Sequence, residues 1–197
     1  QEKAYLHRIS KAPADTIHQK STNTNPIMKD WPLLIEASQL ADSLHEPKLL
    51  ILDTSSADNY AKNHVPGAIH IAPAALQCGI KPAVGKMPAP DQLQLLFSRV
   101  GLTADKHVIV YDDEGGGWAG RLIWTLDVIG HRNYSYLNGG LQAWLSGGHP
   151  SEDVANLPPP SEIEITIDST PIAEIGDFIN LLGNSQLGIW DARSPEE

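Results

Sequence analysis

The chain has 197 residues, 41% of them hydrophobic and 19% charged, and a formal net charge of −10. That length admits one full domain with part of another, and the acidic balance excludes nucleic acid as the main partner, because phosphate binding requires a basic face. No apolar run approaches the length of a membrane span, and the lone Cys78 excludes an intrachain disulfide, which makes the cytoplasm the expected compartment.

In chain order, residues 1–30 read as a flexible extension. Residues 1–27 are basic, rich in Ser and Thr, and lack the apolar stretch of a secretion signal. From residue 31 short apolar runs alternate with helical patterns. A short helix is expected over 36–44 and a buried strand over 49–53. A second apolar run covers 68–71. Over 90–100 the pattern is clearly helical. Pro90 suits the first helical position, Leu93, Leu96, Phe97 and Val100 share one face, and Gly101 ends the helix. A strand is expected over 107–111, a helix over 118–128 closed by Gly130, a strand over 134–137, a turn at Gly139-Gly140 and a short helix over 141–145.

Strands alternating with helices imply an α/β fold, a mostly parallel sheet with helices on both faces. That domain is expected to span 31–150. A linker follows over 151–171, stiffened by Pro158-Pro159-Pro160, in which 162–167 alternates with period two and reads as a strand along the domain surface. Then the design restarts. A helix over 172–182 and a strand over 187–191 ending in Asp191 repeat the plan of 33–56, whose strand ends in Asp53. Two like segments suggest a duplication of domain size. So 172–197 reads as the truncated start of a second domain that lies beyond Glu197.

Tyr60 to Ile71 is the most specific segment: an aromatic, then His64-Val65-Pro66-Gly67-Ala68, then His70. Pro66-Gly67 marks a turn, and His64 is read as bracing it by hydrogen bonds. His64 and His70 lack the partners that a metal site needs. This segment resembles the rhodanese family, and three others extend the resemblance to about residues 31–197. They are 108–121, with Asp112-Asp113-Glu114-Gly115-Gly116-Gly117 and Arg121; 136–144, with Asn138-Gly139-Gly140; and 189–197, with Trp190-Asp191-Ala192-Arg193. The pattern looks like the first domain of two-domain bacterial rhodaneses, sulfurtransferases that act on thiosulfate.

The resemblance implies two similar α/β domains, a small anionic sulfur donor, a thiophilic acceptor such as cyanide, and no cofactor. A cysteine opening a loop in the second domain would attack the donor's outer sulfur and carry it as a persulfide. Such a loop joins a strand to a helix. Its converging amides and the helix N-terminus favour a thiolate there. Here the matching loop opens with Asp112, and eight residues separate Asp112 from Arg121, longer than the active family pattern. The first domain is therefore expected to be silent. No catalytic residue is assigned in this chain, and 112–117 with Arg121 form an inactive-site loop. Arg121 is expected to pair with Asp112 or a neighbouring acid, or to face the domain interface, in a structural role. Its partner would be the second domain.

Cys78 lies before that loop with no basic residue adjacent, so it is read as an inert thiol. Residues 115–120 formally match G-x-G-x-x-G. Yet Asp112, Asp113 and Glu114 crowd the place of a pyrophosphate, the next strand ends at Asn138, and the motif follows a late strand. Nucleotide binding is set aside. Trp124 and Trp144 are expected in the core, and Trp118 is left between core and domain interface. Two other functions stay open: a non-catalytic rhodanese-like binding module, and a sulfurtransferase using 3-mercaptopyruvate.

Overall fold

The computed structural model describes residues 31–186 and Gly188. Among them five strands form one parallel sheet: Leu34–Ile35 (β1), Leu49–Asp53 (β2), Ile69–His70 (β3), His107–Tyr111 (β4) and Tyr134–Leu137 (β5), in the order β1-β5-β4-β2-β3. β2 and β4 are the long central pair, in register from Leu49↔His107 to Asp53↔Tyr111. Both are apolar almost throughout because both of their faces are covered.

The covering helices are Ala37–Ala41 (α1), Ala57–Tyr60 (α2), Pro90–Arg99 (α3), Gly117–Val128 (α4) and Gly140–Ser146 (α5). Alternate strand residues point to opposite faces. Leu50, Leu52, Val108 and Val110 therefore meet Leu93 and Phe97 of α3 and Leu122 and Leu126 of α4. Ile51, Ile109 and Tyr111 meet Leu40 of α1 and Leu141 and Trp144 of α5 on the other side. The expected parallel α/β layering is thus present, with a core on each face.

Several expectations change in detail. The helix expected over 36–44 is only Ala37–Ala41; Glu36 caps it by donating its N–H to Gln39 Oε1 at 3.0 Å, and turns follow. Residues 162–167 pair with no strand. Ile163, Ile165 and Ile167 instead pack onto the core under α3 and α4, so the period of two serves side-chain burial alone. Helices offer that segment no strand edge to bond. Trp144 is fully buried, but Trp124 is only half-buried, and its indole N–H reaches out to Pro171 O at 2.9 Å. The segment expected as a linker packs onto the sheet-and-helix body through Ser161, whose N–H and Oγ bond Ser98 O and Leu102 O, and through Asp168, whose N–H bonds Val128 O.

Beyond the linker, Ile175–Leu181 (α6) replaces the helix expected over 172–182. Its start is delayed to the Glu174 cap, whose N–H bonds Asp177 Oδ2 at 2.9 Å. Ile175, Phe178, Ile179, Leu181 and Leu182 are all exposed. The strand expected over 187–191, the turn after it, and the extension 1–30 lie outside the described residues. No helix among the described residues is long and apolar enough to cross a membrane.

Candidate functional site

Because every strand runs the same way, all five loops that follow them gather at one edge of the sheet, where open α/β sheets bind ligands. The loop after β4 lies at the middle of that edge. Gly115 and Gly116 take left-handed backbone angles (φ +96° and +102°) that curl the loop inward, and α4 begins at the next residue. The amides of Glu114, Gly116 and Ala119 consequently converge on one point.

Asp112 fills it. Its Oδ1 accepts from Gly116 N at 2.8 Å and from Glu114 N at 3.3 Å, and its Oδ2 accepts from Ala119 N at 3.1 Å. The residue is 1% exposed. The helix N-terminus adds favourable potential for the carboxylate. The neighbouring loop clasps the same residue from behind: Leu141 N donates to Asp112 O at 2.9 Å. Gly140 must be glycine there, because a Cβ would overlap Asp112 O. Chemically, this is an anion cradle occupied by the chain's own side chain. It offers no nucleophilic sulfur.

Asp113 turns the other way. It accepts from Ser56 N at 3.2 Å, Ser56 Oγ at 3.0 Å and Asn59 Nδ2 at 2.5 Å, tying the β4 loop to the cap of α2. Partial burial pushes its carboxyl up, but the Asn59 and Ser56 donors together outweigh that and hold it below the usual carboxylate range. Glu114 is exposed and Trp118 is half-buried; with Ser56, Asn59, Pro73 and Asp113 they line a shallow hollow beside the cradle.

The structure does not bring Arg121 to Asp112. Its Nε and Nη2 donate to Leu76 O at 3.1 and 3.0 Å, and Nη2 also donates to Gly85 O at 2.8 Å. The guanidinium lies over the Trp124 ring, 4.7 Å from its centre. One turn into α4, it faces the 76–86 loop and not the cradle. Cys78 sits in that loop, half-exposed, with its sulfur 3.4 Å from Ala83 O and 3.5 Å from Val84 O. The Cys78 N–H donates to Lys86 O at 2.7 Å, and Arg121 holds the same loop through Leu76 O and Gly85 O. Cys78 remains outside the strand-to-helix turn.

His64 braces its turn as expected. It is fully buried, stacked on Tyr60 with ring centres 3.9 Å apart, and its Nδ1 donates to Tyr60 O at 2.6 Å. Its Nε2 faces Glu152 Oε1 at 3.5 Å, and the two residues exchange main-chain hydrogen bonds. Sequence reasoning gave no site role to a buried acid at the same edge. Asp53 is fully buried at the end of β2, accepts from Ser55 N at 2.7 Å, and lies opposite Tyr111. Desolvation raises its pKa against the pull of Ser55, Tyr111 and His70. The available signal was an acid closing an apolar strand run, in register with a tyrosine. No group of three or more His, Cys, Asp or Glu that could hold a metal ion exists among the described residues.

The rhodanese-like domain model matches residues 36–146. Over 171 residues, 87% of the chain, it is 43% identical to a thiosulfate sulfurtransferase of Pseudomonas aeruginosa. It is 44% identical over 84% of its length to a thiosulfate sulfurtransferase of Azotobacter vinelandii. The chain spans 63% and 61% of those two proteins. The crystal structure of a 3-mercaptopyruvate sulfotransferase from Escherichia coli superposes with a TM-score of 0.71 at 25% identity, over 77% of this chain and 62% of that one.

Proposed function

The chain belongs to the rhodanese-like domain family, and from that premise we propose that it is the silent first-domain part (31–150), with linker (151–171) and the start of a second domain (172–197), of a thiosulfate sulfurtransferase. The intact protein is a tandem repeat, and its nucleophile is a cysteine in the second domain. That thiolate attacks the outer sulfur of thiosulfate, a new S–S bond forms, and sulfite leaves with the electrons of the old one. Cyanide then takes the terminal sulfur from the persulfide as thiocyanate, or another thiophile takes it as its own sulfur adduct, and the thiolate is restored. No cofactor is needed.

The observation that carries this reading is the occupied cradle. Asp112 takes the N–H bonds that a persulfide anion would take in an active copy of the loop, and it has no sulfur to transfer. The relatives' greater length supports a second domain that completes the site. Identities of 43% and 44% to two bacterial thiosulfate enzymes, against 34% to a probable 3-mercaptopyruvate sulfurtransferase of Pseudomonas aeruginosa, support thiosulfate as donor. A single half-exposed cysteine suits a reducing compartment, and the cytoplasm is proposed on that ground.

Thiocyanate formation from thiosulfate and cyanide tests the division of labour. The expected result is turnover by the intact protein and none by residues 1–197. Turnover by 1–197 that disappears with Cys78→Ser would transfer the chemistry to Cys78 and overturn the assignment. An intact protein that binds partners but turns over neither thiosulfate nor 3-mercaptopyruvate would be a binding module.

A further inference from the structure

Arg121 is a partly buried cation, yet among the described residues no carboxylate pairs with it. Its donors go to two main-chain carbonyls, Leu76 O and Gly85 O, nine residues apart on one loop. A forked guanidinium can bridge both while its carbon lies over the Trp124 ring; a lysine ammonium offers one point of contact. Within itself the loop is closed by Cys78 N to Lys86 O at 2.7 Å and Gly79 N to Val84 O at 3.0 Å. Arg121 ties both ends of that closed loop to α4.

Two contacts lead from this unit to the end of the linker. The ring under Arg121 belongs to Trp124, whose N–H bonds Pro171 O at 2.9 Å. The loop's last residue, Lys86, reaches Glu174 Oε2 at 2.8 Å, and Glu174 is the cap of α6. The ion pair is more than half exposed on both sides and is worth little alone. The indole bond is partly sheltered, and the stacked guanidinium restrains the ring that makes it. Meanwhile the first turn of the same helix supplies Ala119 N to the cradle. One rigid helix thus follows the loop that faces the ligand edge and carries, one and two turns later, Arg121, which holds the 76–86 loop, and Trp124, which holds the chain at Pro171.

We propose that Arg121 is a positioning residue, which fixes Pro171 and Glu174, and with them the start of the second domain, against α4 and the 76–86 loop of the first. This rests on the two-domain reading above. The Arg121 side chain touches no reacting atom. It acts on the donor site only through where it holds the second domain.

The test uses the intact protein with Arg121→Met, which keeps an aliphatic stem over Trp124 but removes the donors; Arg121→Lys; and Trp124→Phe, which keeps the stack but removes the N–H to Pro171. Arg121→Met is expected to raise KM for thiosulfate about tenfold with kcat within about twofold of the parent. Arg121→Lys should fall between, and Trp124→Phe should reproduce the KM effect. A merely structural role would lower the active fraction, hence apparent kcat, and leave KM unmoved. Amide exchange over 168–178 gives a second readout that needs no turnover, and it should quicken about tenfold in Arg121→Met. Unchanged KM together with unchanged exchange in both variants would overturn the proposal. If the parent itself turns over no thiosulfate, the functional reading fails, and the exchange result alone decides the positioning role.

Discussion

Two buried carboxylates at the ligand edge have opposite surroundings. Asp112 meets three amides and a helix N-terminus, a setting that satisfies a charge. Asp112→Ala would leave those donors without their acceptor in a nearly closed cradle, and a lost acceptor for buried donors costs about 1–3 kcal/mol. We expect Asp112→Ala to lower unfolding free energy by about 2–3 kcal/mol in urea titrations, and Asp112→Asn to lower it less, because one oxygen still accepts. Equal stability of all three proteins would mean that water fills the cradle as well as the side chain does. Asp53 has one amide donor at 2.7 Å and the side chains of Ser55, Tyr111 and His70 nearby, but its burial outweighs their pull. Its folded pKa lies above the ordinary 3.8. An acid raised on folding contributes most below its unfolded pKa, and that contribution is lost as pH climbs through the folded value. Asp53→Asn removes this loss while keeping an oxygen for Ser55 N. The melting temperature of Asp53→Asn minus that of the parent should therefore grow as pH rises from about 4 toward neutrality. A difference that stays flat over that range would show that Asp53 titrates as an exposed acid does.

At the scale of elements, legibility in the sequence followed from how local the cause was. The bounds of β2, β4 and β5 coincide with the expected ones because runs such as His107–Tyr111 are short, apolar and flanked by polar turns. β1 has two residues and exists through its pairing with β5 about a hundred positions later, so nothing local announces it. The Asp112 loop was legible because it follows a strand and precedes a helix. The bonds of Arg121 were not, because carbonyls 36 and 45 positions away carry no sequence signature. Glycines divide the same way. Gly130 and Gly140 both sit at positive φ, +76° and +55°, but only Gly140 has the backbone of a second element against it. Gly130→Ala should cost about 1 kcal/mol, the left-handed backbone penalty. Gly140→Ala adds a clash with Asp112 O, and we expect about 3 kcal/mol or more. Denaturant midpoints decide between them. Similar losses at both sites would mean that the α5 turn moves aside freely.

At the scale of the molecule, one face has no use within the described residues. α6 presents Ile175, Phe178, Ile179 and Leu181 to solvent, an arrangement suited to a helix whose own core lies elsewhere. If that core is a second domain, one substitution must behave differently in two contexts. Ile179 is 63% exposed, and serine matches isoleucine closely in helix propensity. Within residues 1–197, Ile179→Ser should therefore change unfolding free energy by no more than about 0.5 kcal/mol while reducing aggregation. In the intact protein the same side chain would be enclosed, and its loss should destabilise the second domain by about 2 kcal/mol or more, from burial and the stranded hydroxyl together. Urea titrations of both lengths, with and without Ile179→Ser, make the comparison. A neutral outcome in both would leave α6 on the surface of the intact protein and remove the helix from the second domain's core. A large loss in both would show that α6 packs within residues 1–197.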